Sequence, residues 1–498
     1  MSVAEPETSP KLVRELSTLD ASMIVVGSMI GSGIFITSAE SSRLVGAPGW
    51  LLVAWGLAGL LTVLGALCCS ELSAMMPRAG GQYVFLREAY GPLVGFLFGW
   101  SMFLVVQTGT IAAVSVAFAK FLGVFTDQVG AEQYLVAPIR LGSSFAVSLS
   151  RQQLVSVAVV LSLTAINLRG LRTGKLIQNT LTATKTAALV GLIVVGILVG
   201  FSRGSAAFTS SWWDSAANGW TIDGKGVPTG LAGVAGLGFA MLLGKAMIGP
   251  LFSQTAWNNV TFTGGEVRDP GKSLPRALIL GCSAVVLLYL LANVAYIVSL
   301  PLEQIQKAPE NRVGTVAMEH ALGSFGRYAM AGAILISTFG CVNGLVLAGA
   351  RVYYAMARDG LFFAKIGTTN RNHVPAVALV SQGVWAALLT LPRTVTTKPG
   401  GVVEYGNVYN QLLDFIIPAD MCFYALMVGA VFVMRRKAPA ADRPYRTPGF
   451  PIPPLIYLVL AVLVVVDLLV LDPKVSGAGF GIVLTGLPVY LLWRRSAR

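Results

Sequence analysis

Long apolar runs are the feature that most constrains how this chain can fold. Each run has about 20 mostly uncharged residues, the length an α-helix needs to cross the hydrocarbon core of a bilayer. Only 12% of the 498 residues are charged, about half of the roughly 25% typical of a soluble domain. We therefore predict an all-α integral membrane protein with 12 transmembrane helices, at 21–41, 50–75, 91–122, 153–168, 177–202, 231–262, 277–300, 328–357, 374–392, 411–434, 453–471 and 475–493.

Basic residues in the loops predict how the chain is oriented. Lys and Arg are roughly twice as frequent in the loops on the side of the two termini as in the loops on the opposite side. Loops rich in these residues stay in the cytoplasm. We therefore expect both termini there, with residues 1–19 as a cytoplasmic tail and the chain in the plasma or inner membrane. The net charge of +13 is dispersed between the apolar runs and does not indicate nucleic-acid binding.

A glycine-rich stretch, Gly27-Ser28-Met29-Ile30-Gly31-Ser32-Gly33, interrupts the first run. Each glycine costs about 1 kcal/mol relative to alanine in a helix interior. A broken helix is tolerated in a membrane only where its freed backbone groups are buried in protein or face a water-filled cavity. We therefore predict a discontinuous first helix that forms part of a binding site. The alternative is a helix-packing motif in which Gly27 and Gly31 contact a neighbouring helix.

The sixth run contains a second interruption. It reads IGPLFSQTAWNNVTF over residues 248–262, so a proline, small polar residues and two asparagines break the apolar pattern. Many transporters place discontinuous helices at corresponding positions of two inverted repeats. We therefore predict that helix 6 is discontinuous and that repeats of five helices occupy 20–202 and 231–436, followed by two helices at 453–494. The alternative is a set of polar residues that hydrogen-bond between helices.

Polar residues inside the other runs are candidates for functional roles. Lys185 lies in the otherwise uncharged fifth run, where a lysine costs roughly 2.5–3.5 kcal/mol on insertion scales. The alternative for Lys185 is that its ammonium reaches the bilayer surface. We expect Lys245 to lie in an external vestibule. Asn179 and Asn343 are secondary candidates that favour hydrogen bonds between helices over substrate contact.

Several segments in the same order resemble the amino acid–polyamine–organocation superfamily, and most of all its L-type amino acid transporters. The resemblance implies a LeuT-type fold and alternating-access transport. It also implies that Lys185 supplies the positive charge that sodium supplies in coupled relatives. We expect no cofactor and no metal site. The resembling segments are 27–35 (GSMIGSGIF), 65–72 (GALCCSEL), 77–83 (PRAGGQY), 257–259 (WNN), 266–270 (EVRDP), 274–277 (LPRA) and 350–360 (ARVYYAMARDG).

The two interruptions predict how an amino acid would bind. Backbone N–H groups at the start of the inner half of the first helix suit a carboxylate, and freed carbonyl groups suit an ammonium group. Gln254 and Ala256 depart from the family pattern, which commonly has an aromatic gate residue and a glycine there, and the Ala256 methyl should narrow the pocket. The predicted substrate-binding residues are Gly27, Ile30, Gly31, Ser32, Gly33, Phe252, Ser253, Gln254, Thr255, Ala256 and Asn258.

The function predicted from these residues is sodium-independent secondary transport of small or medium neutral amino acids, by exchange or proton coupling. The neutral preference rests on the lack of a carboxylate in the broken segments of helices 1 and 6. A cationic amino acid or polyamine carrier is the alternative, which an acidic residue reaching the pocket from another span would favour. A non-transporting sensor is a further alternative, whereas clustered catalytic residues for an enzyme are lacking. Residues 123–152 contain no cysteine, so we expect no disulfide-linked heavy chain.

Overall fold

The computed structural model describes residues 14–142, 145–202, 212–214, 237–397, 403–406, 408–471 and 473–496. Most of the predicted N-terminal tail, most of the loop at 203–230 and the predicted start of the sixth run lie outside these residues. The first half contains α1 (Thr18–Met29), α2 (Gly33–Val45), α3 (Pro48–Met75), α4 (Gln82–Tyr90), α5 (Pro92–Ser101), a π-helical segment (Met102–Val106), α6 (Gln107–Leu122), α7 (Arg151–Asn167) and α8 (Leu171–Ser202). The second half contains α9 (Leu237–Ala246), α10 (Ile248–Ser253), α11 (Asn259–Phe262), α12 (Pro270–Ser299), α13 (Leu302–Gln306), α14 (Val313–Arg358), α15 (Ala376–Leu388), α16 (Val408–Lys437), α17 (Ile452–Leu471) and α18 (Pro473–Ser496).

Most of the predicted apolar runs coincide with apolar helices. Among the described residues, eight helical segments are long and apolar enough to cross a membrane: Thr18–Val45, Pro48–Met75, Pro92–Leu122, Gln178–Ser202, Pro270–Ser299, Val313–Arg358, Val408–Lys437 and Ile452–Leu471. Three shorter apolar helices lie at Gly238–Ser253, Ala376–Leu388 and Gly479–Trp493. The mostly helical, multi-pass architecture is therefore confirmed, whereas the number of twelve spans and the inverted repeat stay predictions.

A small antiparallel sheet corrects the prediction that the chain is all-α. Its strands are β1 (Tyr134–Arg140), β2 (Phe145–Ser150), β3 (Pro392–Thr397) and β4 (Val403–Tyr405), in the order β1-β2-β3-β4. The strands β2 and β3 pair antiparallel, with Ala146 opposite Arg393. They come from the loop after α6 and the loop after α15, far apart in the sequence. Because strand preference depends on cross-strand neighbours, the sequence of either loop alone gave only a weak signal.

Local signals set the ends of the helices that flank the first interruption. The Ser17 side chain caps α1 by accepting a hydrogen bond from the Asp20 N–H at 3.2 Å, and the Asp20 carboxylate accepts from the Ser17 N–H at 2.9 Å. This reciprocal arrangement satisfies N–H groups that have no partner inside the helix. At the far end, α2 stops at Gly46, whose φ of +65° favours glycine.

The two interrupted segments lie together in the interior of the bundle. The helix α1 contacts α8, α12 and α14, and α10 contacts α2 and α3. An added Cβ on Gly33 would lie only 2.9 Å from the Cα of Ser253. Two backbones can approach this closely only because glycine has no side chain. The fold thus places the break in the first run beside the break in the sixth.

Candidate functional site

The first break exposes carbonyl groups that have lost their helical partners. The helix α1 ends at Met29 and α2 begins at Gly33, and Ile30 at the end of α1 has a non-helical ψ of 89°. Each freed carbonyl accepts a hydrogen bond from a side chain of α8, α12 or α14. Tyr289 donates to Met29 O at 2.8 Å, and Ser337 donates to Ile30 O at 3.2 Å.

Further donors complete this set of contacts. The Cys341 thiol donates to Ser28 O at 3.2 Å, and Ser337 also contacts Gly31 O at 3.3 Å. A carbonyl oxygen has two lone pairs, so each one keeps a site for a second donor. The protein therefore holds the break in a defined shape, and ammonium binding by these carbonyls stays a prediction.

Lys185 of α8 directs its ammonium group at the same break. The side chain is fully buried, and its Nζ donates a hydrogen bond to Gly27 O. A side chain on Gly27 would overlap with Gln178 and Thr182 of α8, so glycine permits this close contact between the helices. The Lys185 charge thus reaches the interior of the bundle and not the bilayer surface.

The N-terminus of α2 presents backbone donors. Ser32 precedes α2 and provides no side-chain cap for it. Its hydroxyl instead lies 3.1 Å from the Tyr409 hydroxyl of α16. The first N–H groups of a helix lack intrahelical acceptors and carry a partial positive charge. This end of α2 therefore has the donors that the sequence assigned to a carboxylate.

The second break runs from Gln254 to Asn258, between α10 and α11. Ala256 has a φ of +65°, which is unfavourable for a residue with a Cβ. The Thr255 hydroxyl donates to Phe252 O at 2.8 Å, and the hydroxyls of Ser253 and Thr37 are 3.2 Å apart. The N-terminal side of the break is therefore held by its own short polar contacts and by α2.

The side chain of Gln254 lies against the second span. Its Nε2 donates to Trp55 O of α3 at 3.3 Å, whereas its Oε1 has no donor among the described residues. Asn258 makes two hydrogen bonds across helices. Its Nδ2 donates to Gln82 Oε1 at 2.6 Å, and Tyr424 of α16 donates to its Oδ1 at 2.9 Å.

A cavity adjoins the second break. Residues of the third, sixth, eighth and tenth predicted spans form its wall, whereas α1 and α2 contribute none: Met102, Val106, Gln107, Thr110, Thr255, Ala256, Asn258, Asn259, Leu345, Asp420 and Tyr424. The structure thus brings Thr255, Ala256 and Asn258 to this cavity. It does not bring Gln254 or the predicted residues of the first break to it.

Asp420 is the residue of this cavity that sequence reasoning missed. It lies in α16 and is 95% buried, with a relative exposure of 5%. The signal was present, because an acidic residue inside an apolar run is a functional candidate by default. The predicted neutral preference rested only on the broken segments of helices 1 and 6, whereas Asp420 lies in the tenth run.

The remaining candidates occupy separate positions. The Asn179 side chain donates to Asp20 Oδ1 of α1 at 2.7 Å, and Asn343 donates to Gln178 Oε1 at 3.3 Å. Both asparagines thus bond between helices. Lys245 is half-buried in the last turn of α9. Within the described part of the chain, no cluster of three or more His, Cys, Asp or Glu residues could hold a metal ion.

Ion pairs join the helices at one end of the bundle, called the inner end below because the sequence predicts it to be cytoplasmic. Glu266 and Arg351 are each 1% exposed, and both oxygens of Glu266 accept from the guanidinium at 3.2 Å. Glu71 and Arg435 form a second pair with a separation of 2.7 Å. Before α1, Leu16 pairs its backbone with Glu266 and Arg268 at 2.9 and 2.8 Å. These contacts connect neighbouring helices at this end.

Tyr83 forms a further contact at the inner end, outside the apolar helices. Tyr83 of α4 donates to the Asp359 carboxylate at 2.8 Å, and Arg87 forms an ion pair with that carboxylate. Burial, followed by the Asp359 charge, raises the pKa of Tyr83, which keeps the phenol protonated as a donor. The short helix α4 is thereby attached to the C-terminal end of α14.

Comparison with known proteins gives one family and several relatives. A family model described as "Amino acid permease" matches residues 16–493. The Asc-type amino acid transporter 1 of Mus musculus is 29% identical, over 97% of this chain and 82% of that protein. The large neutral amino acids transporter small subunit 2 of Homo sapiens is 29% identical, over 97% and 80%. The serine/threonine exchanger SteT of Bacillus subtilis is 28% identical, over 96% of each chain.

Proposed function

The chain belongs to the amino acid permease family, and on this premise we propose that it is a sodium-independent secondary transporter of small or medium neutral L-amino acids. It works by alternating access, with exchange or proton coupling. Support for the substrate class comes from the names of three relatives, an Asc-type transporter, a large neutral amino acid transporter subunit and a serine/threonine exchanger. The Ala256 methyl beside the cavity favours the smaller members of this class.

The observation that carries sodium independence is the hydrogen bond from the Lys185 ammonium to Gly27 O. A fixed positive charge at the break repels a second cation, because two like charges 4 Å apart interact by about 4 kcal/mol at an effective dielectric constant of 20. The ammonium also orients the last turn of α1 through a charged hydrogen bond. The Lys185 ammonium therefore supplies permanently the positive charge that a sodium ion would supply only while bound.

The two breaks divide the recognition of the substrate head group. Backbone N–H groups at Ser32 and Gly33 bind the carboxylate, assisted by the positive end of α2. The second lone pairs of the Ile30 and Gly31 carbonyls, with carbonyls between Phe252 and Thr255, bind the ammonium. Because these partners are backbone groups, they recognise any α-amino acid. The substrate side chain is then selected elsewhere, by the residues around the cavity.

Alternating access requires the inner end to open while the outer end closes. In this proposal the Glu266–Arg351 and Glu71–Arg435 pairs are the contacts that separate when the substrate is released inward. The chain functions in the plasma or inner membrane with both termini in the cytoplasm. We expect it to act without a disulfide-linked heavy chain, because its described cysteines are buried or half-buried within apolar segments.

Counterflow in proteoliposomes tests this proposal. Liposomes loaded with unlabelled serine, alanine or leucine should take up the labelled amino acid equally in sodium and in choline buffer. Strict dependence on sodium would refute the sodium-independent mechanism. A pH gradient applied without internal substrate distinguishes proton coupling from obligatory exchange, because only a proton-coupled carrier then accumulates label.

The variant Lys185→Ala tests the role of the fixed charge. We expect it to fold and to lose nearly all counterflow, because Gly27 O loses its charged donor. The matched control is Thr184→Ala, since Thr184 is the preceding residue and is exposed on the surface of α8. Wild-type transport by Lys185→Ala would contradict the assignment.

A cationic amino acid carrier is the second candidate, and one observation favours it. Asp420 brings a carboxylate to the cavity from α16, and an acidic residue that reaches the pocket from another span is the feature expected of a cationic amino acid carrier. A sensor built on the same fold would bind amino acids without counterflow, so the same experiment separates it from a carrier.

A further inference from the structure

The Asp420 carboxylate is buried in the cavity wall and has no hydrogen-bond or ion-pair partner among the described residues. The residue is 5% exposed and lines the cavity. No side chain or backbone group in the described part of the chain donates a hydrogen bond to it, and no described Lys or Arg forms an ion pair with it. A buried carboxylate without a partner is strongly unfavourable. The folded protein therefore contains an acceptor that its own described residues do not use.

Three polar side chains near Asp420 have other partners, whereas Nδ2 of Asn259 in the same wall has no acceptor among the described residues. Thr110 donates to Val106 O at 2.6 Å, and Gln107 donates to Leu345 O at 2.9 Å. Tyr424, four residues after Asp420, donates to Asn258 at 2.9 Å. Because these donors are engaged, none of them turns to the carboxylate in this structure. Asp420 is thus available to a donor that enters the cavity.

The position of Asp420 relates it to the second break. Residues four apart lie on one face of a helix, about one turn or 5.4 Å along its axis. Tyr424 contacts Asn258 at the second break, and Asp420 lies one turn away on the same face of α16. A side chain of three or four methylene groups spans this distance. An ammonium group at its end would then reach Asp420 while the α-ammonium group stays at the second break.

We propose that Asp420 binds a positively charged group at the end of the substrate side chain, so that the carrier takes diamino acids of the ornithine and lysine type in addition to neutral amino acids. This inference rests on the proposed transport function and assigns the charge selectivity of its pocket to one residue. Charge-assisted hydrogen bonds are roughly twice as strong as neutral ones. The carboxylate therefore favours a terminal ammonium group over an apolar side chain of the same length.

The experiment is counterflow with two labelled substrates, ornithine and serine, in wild-type protein and in Asp420→Asn. The substitution keeps the shape of the side chain and removes its charge. We expect wild-type protein to take up both substrates. In Asp420→Asn we expect the ratio of ornithine to serine uptake to fall by about tenfold or more, the effect of losing a charged hydrogen bond. Norleucine, which has the length of ornithine with a methyl group in place of the side-chain ammonium, should compete equally well against serine in both proteins.

A matched control uses another carboxylate inside a predicted span. Asp467 lies in α17, half-buried, and is not part of the cavity wall. The variant Asp467→Asn should keep the wild-type ratio of ornithine to serine uptake, even where total activity changes. The ratio separates a specific role of Asp420 from a general effect of removing a buried charge.

Three outcomes are decisive. Serine uptake by wild-type protein with neither uptake of ornithine nor competition by it would overturn the inference and leave the proposed function intact. An unchanged ornithine-to-serine ratio in Asp420→Asn would also overturn it. Should neither substrate be transported, thermal unfolding of the detergent-solubilised protein still decides, because a ligand that binds the native state raises the unfolding temperature. Stabilisation by ornithine in wild-type protein but not in Asp420→Asn supports the inference, and its absence in both refutes it.

Discussion

Replacing Gly33 by alanine tests whether the close approach of the two breaks matters. The new Cβ would lie 2.7 Å from the Cβ and 2.9 Å from the Cα of Ser253, distances below 3.0 Å that real Cβ atoms essentially never show. Since one of these atoms belongs to the backbone, rotating a side chain cannot remove the overlap. The helices α2 and α10 must therefore move apart.

The expected cost follows from this overlap. Inserting a methyl group into a well-packed interior costs about 1–3 kcal/mol. If 1.4 kcal/mol of this cost destabilises the substrate-bound state relative to the free protein, substrate binding weakens tenfold. We therefore expect Gly33→Ala to unfold at a lower temperature in detergent and to raise the half-saturating substrate concentration in counterflow by about tenfold.

The chain offers a matched control for this substitution. An added Cβ on Gly56, within α3, meets nothing within 4 Å. The same change at Gly56 should be neutral or should stabilise the protein by up to about 1 kcal/mol, because alanine favours a helix over glycine. If Gly33→Ala unfolds and transports like Gly56→Ala, the two breaks do not need their present separation, and the reasoning is refuted.

Two further predictions concern the inner end and the second break. Arg351→Met leaves the Glu266 carboxylate buried and unpaired and should lower the free energy of unfolding by about 3–5 kcal/mol. Adding Glu266→Gln should recover part of this loss. Strictly additive changes in the unfolding free energy of the solubilised protein would contradict a direct pair. Ala256→Gly removes a Cβ that lies at positive φ and beside the cavity. Competition assays should therefore show better binding of larger neutral amino acids. An unchanged substrate ranking would contradict the proposal that the Ala256 methyl narrows the pocket.

The resemblance stated from the sequence motifs is confirmed by the family model and by relatives that cover most of the chain. The glycine-rich stretch at 27–33 and the polar stretch at 252–258 were visible because they violate the pattern of an apolar helix. The structure has α1 and α10 ending at these stretches, with Ile30 to Ser32 and Gln254 to Asn258 outside the helices. The role of these residues in binding stays a prediction that the counterflow experiments address.

Other features depended on contacts between distant parts of the chain. The orientation of Gln254 towards Trp55 and the pairing of β2 with β3 join segments far apart in the sequence. Asp420 shows the same limit, because its residue type was visible but its place in the cavity wall was not. A charged residue in an apolar run can pair with any of several neighbouring helices, and only their packing decides between them.

The sequence by itself determined a helical membrane protein with two interrupted helices, because bilayer-length apolar runs and helix-breaking residues act locally. The tertiary structure decided which residues contact the two interruptions. It directs Lys185 at Gly27 O, brings Gly33 against Ser253 and leaves the Asp420 carboxylate in the cavity beside Ala256. These contacts arise from helices that pack side by side, and such packing depends on the whole set of side chains and not on any single run.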